Sequence, residues 1–228
     1  MKEKKILYFC SMKTSYDTYI FDLDGTLLDT LTDLTNATNH ALRHFGMKER
    51  TLQEIRGFVG NGIRKLIERA VPVGTTPEQV EEVFGVFESY YLEHSLDATC
   101  PYDGVQELLR QLHEAGKHIA IVSNKIHAAT QELCRRFFGN NADAVIGEQE
   151  YRGIKKKPAP DMVFEALKEL KVSGERAVYV GDSEVDLATA HNAGLPCISV
   201  LWGFRDRDFL IKHGATTFVA APEEITRL

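Results

Sequence analysis

The second half of the chain alternates short apolar runs with amphipathic stretches, and this alternation constrains the fold more than any other feature. Apolar runs predict strands at residues 118–122, 144–146, 177–180, 197–201 and, late in the chain, 217–219. Most of the segments between them carry apolar residues at helical spacing. Parallel strands need a crossover connection, usually a helix, so alternating strands and helices form a helix-covered parallel sheet. We therefore predict an α/β fold built on a doubly wound parallel sheet.

The first predicted strand, residues 18–21, is separated from the others by a long helical segment. Helices are predicted from residue 31, from Thr51, from Ile63 and from Thr76. Thr51 and Glu54 form a capping-box signature, and a proline follows Thr76 at the first helical position. Four successive amphipathic helices indicate a small bundle inserted after the first strand. The predicted domains are a core of residues 1–28 and 101–228 and an inserted domain of residues 29–100.

Composition limits the partners and the location of the chain. The 228 residues are 43% hydrophobic, enough to bury a core, and the net charge is −6. An acidic balance disfavours nucleic acid, because binding to that polyanion depends on basic contacts. The chain contains no run of membrane-spanning length, and its four cysteines form no C-x-x-C pair. We expect a cytoplasmic protein with neither a nucleic-acid nor a membrane partner, as a monomer or a homodimer.

The amino-terminal segment leaves one question open. Charged residues and a short apolar stretch precede a second methionine, Met12. One interpretation is that translation starts at Met12 and that residues 1–11 are an upstream addition. If the segment is native, it could add an edge strand.

Polar side chains follow three of the predicted strands at the point where each strand ends. Asp22 follows the first strand, Ser123 follows the strand at 118–122, and Asp182 follows Gly181 after the strand at 177–180. The carboxyl ends of parallel strands meet at one edge of a sheet, where ligands of such folds bind. Four further polar residues lie close in sequence to these ends or before a proline: Asp24, Thr26, Lys157 and Asp186. Ordinary turn chemistry also explains Asp, Gly and Thr after a strand when that segment is taken alone.

Taken together, these residue types favour phosphoryl transfer. Several carboxylates in one cleft repel each other, and oxygen ligands of this kind favour Mg²⁺ as the compensating cation. One carboxylate can then attack phosphorus while a second, two residues further on, handles protons. Ser123, Thr26 and Lys157 are suited to hold the transferring oxygens.

Four segments, in this order, resemble the motifs of the haloacid dehalogenase superfamily. They are Asp22-Leu23-Asp24-Gly25-Thr26, Ser123-Asn124, Lys157-Pro158-Ala159-Pro160 and Gly181-Asp182-Ser183-Glu184-Val185-Asp186. The resemblance spans about residues 16 to 222. It implies a Rossmann-like core and, because the long interval lies between the first two motifs, a helical cap formed by the inserted domain. The cap would close over the site and exclude water.

The resemblance also implies roles for individual residues. Asp22 would be the nucleophile that forms an aspartyl-phosphate, and Asp24 the general acid and base. The phosphoryl group would be bound by Thr26, Ser123, Asn124 and Lys157. Mg²⁺ would be held by Asp22, the backbone carbonyl of Asp24 and Asp182, with Asp186 in support. The acid at position 24 disfavours dehalogenation, because dehalogenases of the superfamily lack it.

Two further segments are similar to phosphoglycolate phosphatases and their relatives: residues 57–62, Gly-Phe-Val-Gly-Asn-Gly, and residues 201–204, Leu-Trp-Gly-Phe. They make phosphoglycolate the first candidate substrate of a Mg²⁺-dependent phosphatase. The alternatives are a phosphomutase of the β-phosphoglucomutase type and a pyrophosphatase or nucleotide phosphatase. In the cap, Asn61 is expected to cap the third helix. Asn61 and Arg64 are also the candidate specificity residues of the cap. Arg64 would read the substrate carboxylate, and the alternative for it is a solvated helix face.

Two other classes of protein are compatible with parts of the pattern. Signalling receiver domains store a phosphoryl group on aspartate with similar residues, but they are shorter, lack a cap and have no acid at the position of Asp24. A catalytically silent binding module is disfavoured because every motif position is filled. The physiological substrate is not determined by the sequence.

Overall fold

The structure, a computed structural model, describes residues 16–228. Six strands form one parallel sheet in the order β5-β4-β1-β6-β7-β8. They are β1 Thr18–Phe21, β4 His118–Ile126, β5 Ala144–Glu148, β6 Ala177–Gly181, β7 Cys197–Val200 and β8 Phe218–Val219. A separate antiparallel pair joins β2, Leu28–Asp29, to β3, Cys100–Pro101. The start at Met12 and the possible edge strand before it lie outside the described residues.

Helices cover both faces of the six-stranded sheet, which confirms the predicted doubly wound α/β fold. The helices of this part are α5 Val105–Glu114, α6 His127–Phe138, α7 Asp161–Leu170, α8 Glu184–Ala193 and α9 Arg207–Lys212. Alternate residues of β1 point to opposite faces: Phe21 packs in one apolar cluster with α5 and α6, and Ile20 packs in a second with α7 and α8. This alternation follows from the two-residue period of a strand. Burial on both faces explains why the strands are apolar throughout.

Four helices lie between β2 and β3: α1 Leu31–His44, α2 Leu52–Phe58, α3 Ile63–Ala70 and α4 Pro77–His94. Their apolar sides form a separate buried cluster, to which the rest of the chain contributes Phe204. Both predicted start signals form capping boxes, one from Thr51 to Glu54 and one from Thr76 to Gln79. Because β2 pairs with β3, the chain enters and leaves this bundle at adjacent points. We interpret residues 29–100 as the cap and the remainder as the core.

The structure differs from the sequence prediction at several boundaries. Strand β4 continues to Ile126 instead of ending at residue 122, so Ser123 and Asn124 belong to the strand. Helix α9 was not predicted, since its six residues are too few to establish a helical period. Helix α3 is capped by Gly62, not by the side chain of Asn61. Among the helices of residues 16–228, none is long and apolar enough to cross a membrane.

Candidate active site

Strand register brings the predicted polar groups to one edge of the sheet. Phe21, the last residue of β1, pairs with Ile121 of β4 on one side and Val180 of β6 on the other. Strands β1 and β6 therefore end at nearly the same level, and β4 continues past it to Ile126. Asp22 continues this alignment, because its N–H donates to the carbonyl oxygen of Val180 at 2.9 Å. Ser123 and Asp182 follow one or two residues later on the neighbouring strands.

Lys157 joins the carboxylates that follow β1 and β6. Its Nζ lies 2.5 Å from Asp22 Oδ1 and 2.8 Å from Asp186 Oδ1, and it also donates to the Tyr179 hydroxyl at 3.2 Å. All four side chains are buried. Burial alone would lower the pKa of Lys157, but the charges of Asp186 and Asp22 outweigh it and raise the pKa. The lysine is therefore a permanent positive charge at this point.

Three carboxylates crowd around that single ammonium. One oxygen each from Asp22, Asp182 and Asp186 lie within 4.8 Å of one another. Burial and the charge of Asp186 raise the pKa of Asp22 well above 3.8, and the same two causes raise the pKa of Asp182 to about 7. Three acids held this closely in the interior need more positive charge than one lysine supplies. Oxygen donors at this spacing fit a divalent cation of the Mg²⁺ type.

Asp24 occupies a different environment from Asp22, two residues earlier. Its side chain is partly exposed and lines a cavity beneath the cap. Asp24 Oδ2 accepts a hydrogen bond from Ser123 Oγ at 3.4 Å, and Asp24 Oδ1 forms an ion pair with Lys125 Nζ at 3.1 Å. Both aspartates line this cavity, but Asp22 is bound into the buried carboxylate cluster, whereas Asp24 is partly exposed and pairs with Lys125.

Two of the predicted phosphate ligands form side-chain hydrogen bonds with other groups of the protein. The Thr26 hydroxyl is fully buried and donates to Asp182 Oδ1 at 3.3 Å, so it orients a carboxylate and does not line the cavity. Asn124 does line the cavity, but its amide is bonded to both backbone groups of Lys157 and to the carbonyl oxygen of Gly60. Ser123 and Lys157 line the same cavity.

Sequence reasoning missed Lys125, whose side chain is buried although the residue is charged. Its Nζ donates to the Tyr91 hydroxyl of α4 at 2.8 Å, in addition to its ion pair with Asp24. Burial alone would lower the pKa of Lys125, but Asp24 and Tyr91 outweigh that effect and raise it. The available signal was its place directly after Ser123 and Asn124. The sequence pattern alone does not distinguish a buried site lysine at this position from a lysine in an exposed turn.

The loop of residues 202–205 was also not assigned to the site. The Phe204 N–H donates to Asp182 Oδ2 at 2.6 Å, and Trp202 Nε1 donates to the carbonyl oxygen of Thr26 at 2.9 Å. Gly203 lies so close to Asp182 that a side chain at this position would collide with it. The loop therefore fixes one carboxylate of the cluster from the side opposite Thr26.

Two arginines join this loop to the cap, and we call them the arginine clasp. Arg56 of α2 donates to the carbonyl oxygens of Phe204 at 2.7 Å and Gly203 at 2.6 Å. In return, Arg205 donates to the carbonyl oxygens of Arg56 at 2.7 Å and Val59 at 2.8 Å. The clasp holds the cap directly against the loop that fixes Asp182.

The cavity between cap and core is small, about 50 Å³. The cap contributes Leu34, Val59, Gly60, Gly62, Ile63 and Leu66 to its wall. Neither of the two predicted specificity residues lies in this wall. Arg64 is exposed and paired with Glu81, and the Asn61 side chain accepts a hydrogen bond from Arg69 at 2.7 Å. The helical period turns Arg64 away from the cavity, whereas Ile63, directly before it, faces inward.

A doubly wound sheet with two aspartates and a lysine at its carboxyl edge, beneath an inserted helical bundle, is the arrangement of haloacid dehalogenase-like enzymes. The family model described as "Haloacid dehalogenase-like hydrolase" matches residues 19–200. The chain therefore belongs to this family.

Similar proteins extend over most of the chain. A phosphoglycolate phosphatase of Cereibacter sphaeroides (strain ATCC 17025 / ATH 2.4.3) is 37% identical over 82% of this chain and 85% of its own. A phosphoglycolate phosphatase of Aquifex aeolicus is 31% identical over 81% of this chain and 84% of its own. A crystal structure from Lactobacillus delbrueckii subsp. bulgaricus, 36% identical, covers 93% of this chain and 98% of its own with a TM-score of 0.89.

Proposed function

We propose that this chain is a Mg²⁺-dependent phosphatase that hydrolyses a small phosphomonoester through an aspartyl-phosphate on Asp22. One observation carries the proposal: two carboxylates, two residues apart, lie in contrasting environments at the same cavity. Asp22 is buried against Lys157 within the carboxylate cluster, and Asp24 faces the cavity beside Ser123 and Lys125. Such a contrast is what a nucleophile and a separate proton donor require.

In the first step, an Asp22 carboxylate oxygen attacks phosphorus and the bond from phosphorus to the leaving oxygen breaks. Asp24, as the carboxylic acid, gives its proton to that oxygen. In the second step, Asp24 as carboxylate takes a proton from a water molecule that attacks the phosphorus of the aspartyl-phosphate. The bond to Asp22 breaks, which regenerates the carboxylate and releases inorganic phosphate.

Lys157 and Ser123 are the groups that we assign to the transferring oxygens. The Lys157 ammonium bridges Asp22 and Asp186 and lies on the wall of the cavity. Two hydrogen bonds between the Asn124 side-chain amide and the Lys157 backbone hold Lys157 beside the strand that carries Ser123. Fixed positive charge and hydroxyl dipoles at this point stabilise the charge that builds on the phosphoryl oxygens.

The carboxylates of Asp22 and Asp182 fit a Mg²⁺ site, completed by the backbone carbonyl of Asp24 and supported by Asp186. The raised pKa values of Asp22 and Asp182 reflect an excess of negative charge that a divalent cation relieves. When bound, Mg²⁺ would supply positive charge that offsets these carboxylates and stabilises the charge of the transferring phosphoryl group.

Phosphoglycolate is the first candidate substrate, because the two curated relatives above carry that name and cover most of this chain. The small cavity also suits a small leaving group, with the cap opening to admit the ester. A phosphomutase needs a cationic site for a second phosphate. The described cap residues that line the cavity are all apolar or glycine, so the cations of its wall, Lys125, Lys157 and Arg205, come from the core.

The test is hydrolysis of 4-nitrophenyl phosphate in Mg²⁺ and in EDTA, followed by a panel of phosphoglycolate, pyrophosphate, nucleotides and hexose phosphates ranked by kcat/KM. We expect metal-dependent release of phosphate. Asp22→Asn is expected to lose at least about 10³-fold in kcat, because the amide cannot form the phosphoenzyme. Asp97→Asn, an exposed aspartate beside His94, is the matched control and should be unaffected. Full activity in Asp22→Asn would falsify the proposal.

A further inference from the structure

Lys125 is the polar group that connects the cap to Asp24. It stands in β4, and its side chain is 3% exposed although it lines the cavity. Its ammonium lies between two partners, Asp24 Oδ1 at 3.1 Å and the Tyr91 hydroxyl at 2.8 Å. One partner belongs to the core and the other to α4 of the cap.

The contacts of Asp24 indicate that Lys125 contributes more than Ser123 to the orientation of the Asp24 carboxylate. The hydrogen bond from Ser123 Oγ to Asp24 is long, 3.4 Å. Ser123 Oγ also accepts a hydrogen bond from the Lys125 backbone N–H at 3.1 Å. The ion pair with Lys125 is shorter, 3.1 Å, and it reaches the buried Asp24 Oδ1, which accepts no hydrogen bond from the described residues. Without the ammonium, the Asp24 carboxylate would keep only the long hydrogen bond from Ser123.

Tyr91 is the cap residue that Lys125 contacts, and its ring is held in place within α4. The ring is buried and stacked on Phe87 of the same helix at 5.3 Å between centroids, so its hydroxyl moves only with the cap. The Lys125 ammonium also lies over the Tyr91 ring, 4.9 Å from its centroid. A cap that opens would withdraw both contacts from Lys125 at once.

We propose that Lys125 is a positioning residue that aims Asp24 at the leaving-group oxygen, and that Tyr91 makes this orientation depend on closure of the cap. The inference rests on the proposed function, since it concerns the proton-transfer step. Lys125 neither gives nor takes a proton. Asp24 delivers its proton to the leaving oxygen as the bond to phosphorus breaks, and Lys125 fixes the direction of delivery.

Leaving-group dependence separates this role from the others that a buried lysine could have. An alkyl oxygen needs a proton to leave, whereas 4-nitrophenolate leaves as an anion. The experiment measures kcat/KM, which reports transfer to Asp22, for phosphoglycolate, ethyl phosphate and 4-nitrophenyl phosphate with saturating Mg²⁺. For Lys125→Met we expect a loss of about 10- to 100-fold on both alkyl esters and less than about threefold on the aryl ester.

Tyr91→Phe tests the contact between Lys125 and the cap. It also keeps the inference testable if Lys125→Met does not fold. It keeps the ring and removes only the hydroxyl, so we expect a loss of about threefold to tenfold, again confined to the alkyl esters. Lys168→Met, which removes an exposed lysine paired with Glu165 on α7, is the control and should leave all three rates unchanged.

Two patterns would overturn the inference while leaving the proposed function intact. Equal losses on all three esters would make Lys125 a general phosphate-binding or structural residue. A loss on phosphoglycolate alone, with ethyl phosphate unaffected, would make it a reader of the substrate carboxylate. If the wild-type enzyme hydrolyses none of the three esters in Mg²⁺, the proposed function fails and this inference fails with it.

Discussion

Asp182 illustrates how a single residue links the site to the stability of the protein. It is buried beside Asp186, and both burial and that neighbouring charge raise its pKa from 3.8 to about 7. The folded protein therefore holds a proton on this carboxyl at pH values where the unfolded chain has released it. Stability from this group is complete below about pH 4 and is lost as the pH rises through about 7.

We predict that the metal-free protein becomes less stable between pH 5 and pH 8. The loss should reach a few kcal/mol, because one pKa unit corresponds to about 1.4 kcal/mol. Thermal melting in EDTA checks this, with Asp182→Asn as the comparison, since the amide cannot ionise and should show a weaker pH dependence. Mg²⁺ should raise the melting temperature more at pH 8 than at pH 5, because it binds the ionised carboxylates. A melting temperature in EDTA that rises with pH would contradict the assignment.

At the scale of elements, the site depends on turns that approach each other too closely for side chains. The turn after β1 passes Asp182 at Gly25, whose φ of 93° also favours glycine. The loop of residues 202–205 passes the same carboxylate at Gly203, where it also lies close to the carbonyl oxygen of Gly25. The backbone N–H of Phe204 can reach Asp182 Oδ2 only because Gly203 leaves that space empty.

We predict that Gly203→Ala destabilises the protein by about 2–4 kcal/mol and weakens Mg²⁺ binding. The added methyl group would collide with the Asp182 side chain and with the carbonyl oxygen of Gly25, and neither can move without disturbing the carboxylate cluster. Urea unfolding and calorimetric titration with Mg²⁺ measure the two effects. Gly85→Ala, at an exposed position in α4 with open space around it, is the matched control. It should stabilise the protein by about 0.5–1 kcal/mol.

At the scale of the molecule, the arginine clasp joins the cap to the core through hydrogen bonds in both directions. Arg56 and Arg205 each donate to backbone carbonyls of the opposite part, so the four hydrogen bonds break or form together. The cavity of about 50 Å³ that they enclose is close to the size of a few water molecules. Substrate entry therefore requires the clasp to open.

We predict that Arg56→Met lowers kcat/KM about tenfold, because it removes two charge-assisted hydrogen bonds of the closed form. Trp202, the only tryptophan of the chain, stands beside the clasp and reports closure by its fluorescence. The fluorescence change on adding Mg²⁺ and inorganic phosphate should shrink in the variant. Arg43→Met, which removes an exposed ion pair with Glu49 of the cap, should change neither measurement. An unaltered kcat/KM in Arg56→Met would show that the clasp does not control closure.

Much of the fold could be predicted because the sequence patterns that indicate it are local. The period of two in the strands, the helical spacing between them and the capping residues at Thr51 and Thr76 depend only on neighbours in the chain. The positions of Asp22 and Asp182 after their strands, and of Ser123 beside them in β4, then follow from parallel pairing. Arg64 shows the limit of such prediction, because the direction of its side chain depends on how α3 is rotated against the rest of the cap. The side chains of Asn61 and Thr26 form hydrogen bonds with partners other than the predicted ones.

The sequence by itself determined the parallel sheet, the inserted helices and the group of carboxylates, hydroxyls and lysine at one sheet edge, since each rests on periodicity or on the end of a strand. Only the tertiary structure decided that Lys125 reaches both Asp24 and Tyr91, that the loop of residues 202–205 holds Asp182, and that Arg56 and Arg205 close the cap. These contacts join segments that are far apart in the chain. Their geometry is set by packing between the cap and the core, which no local pattern records.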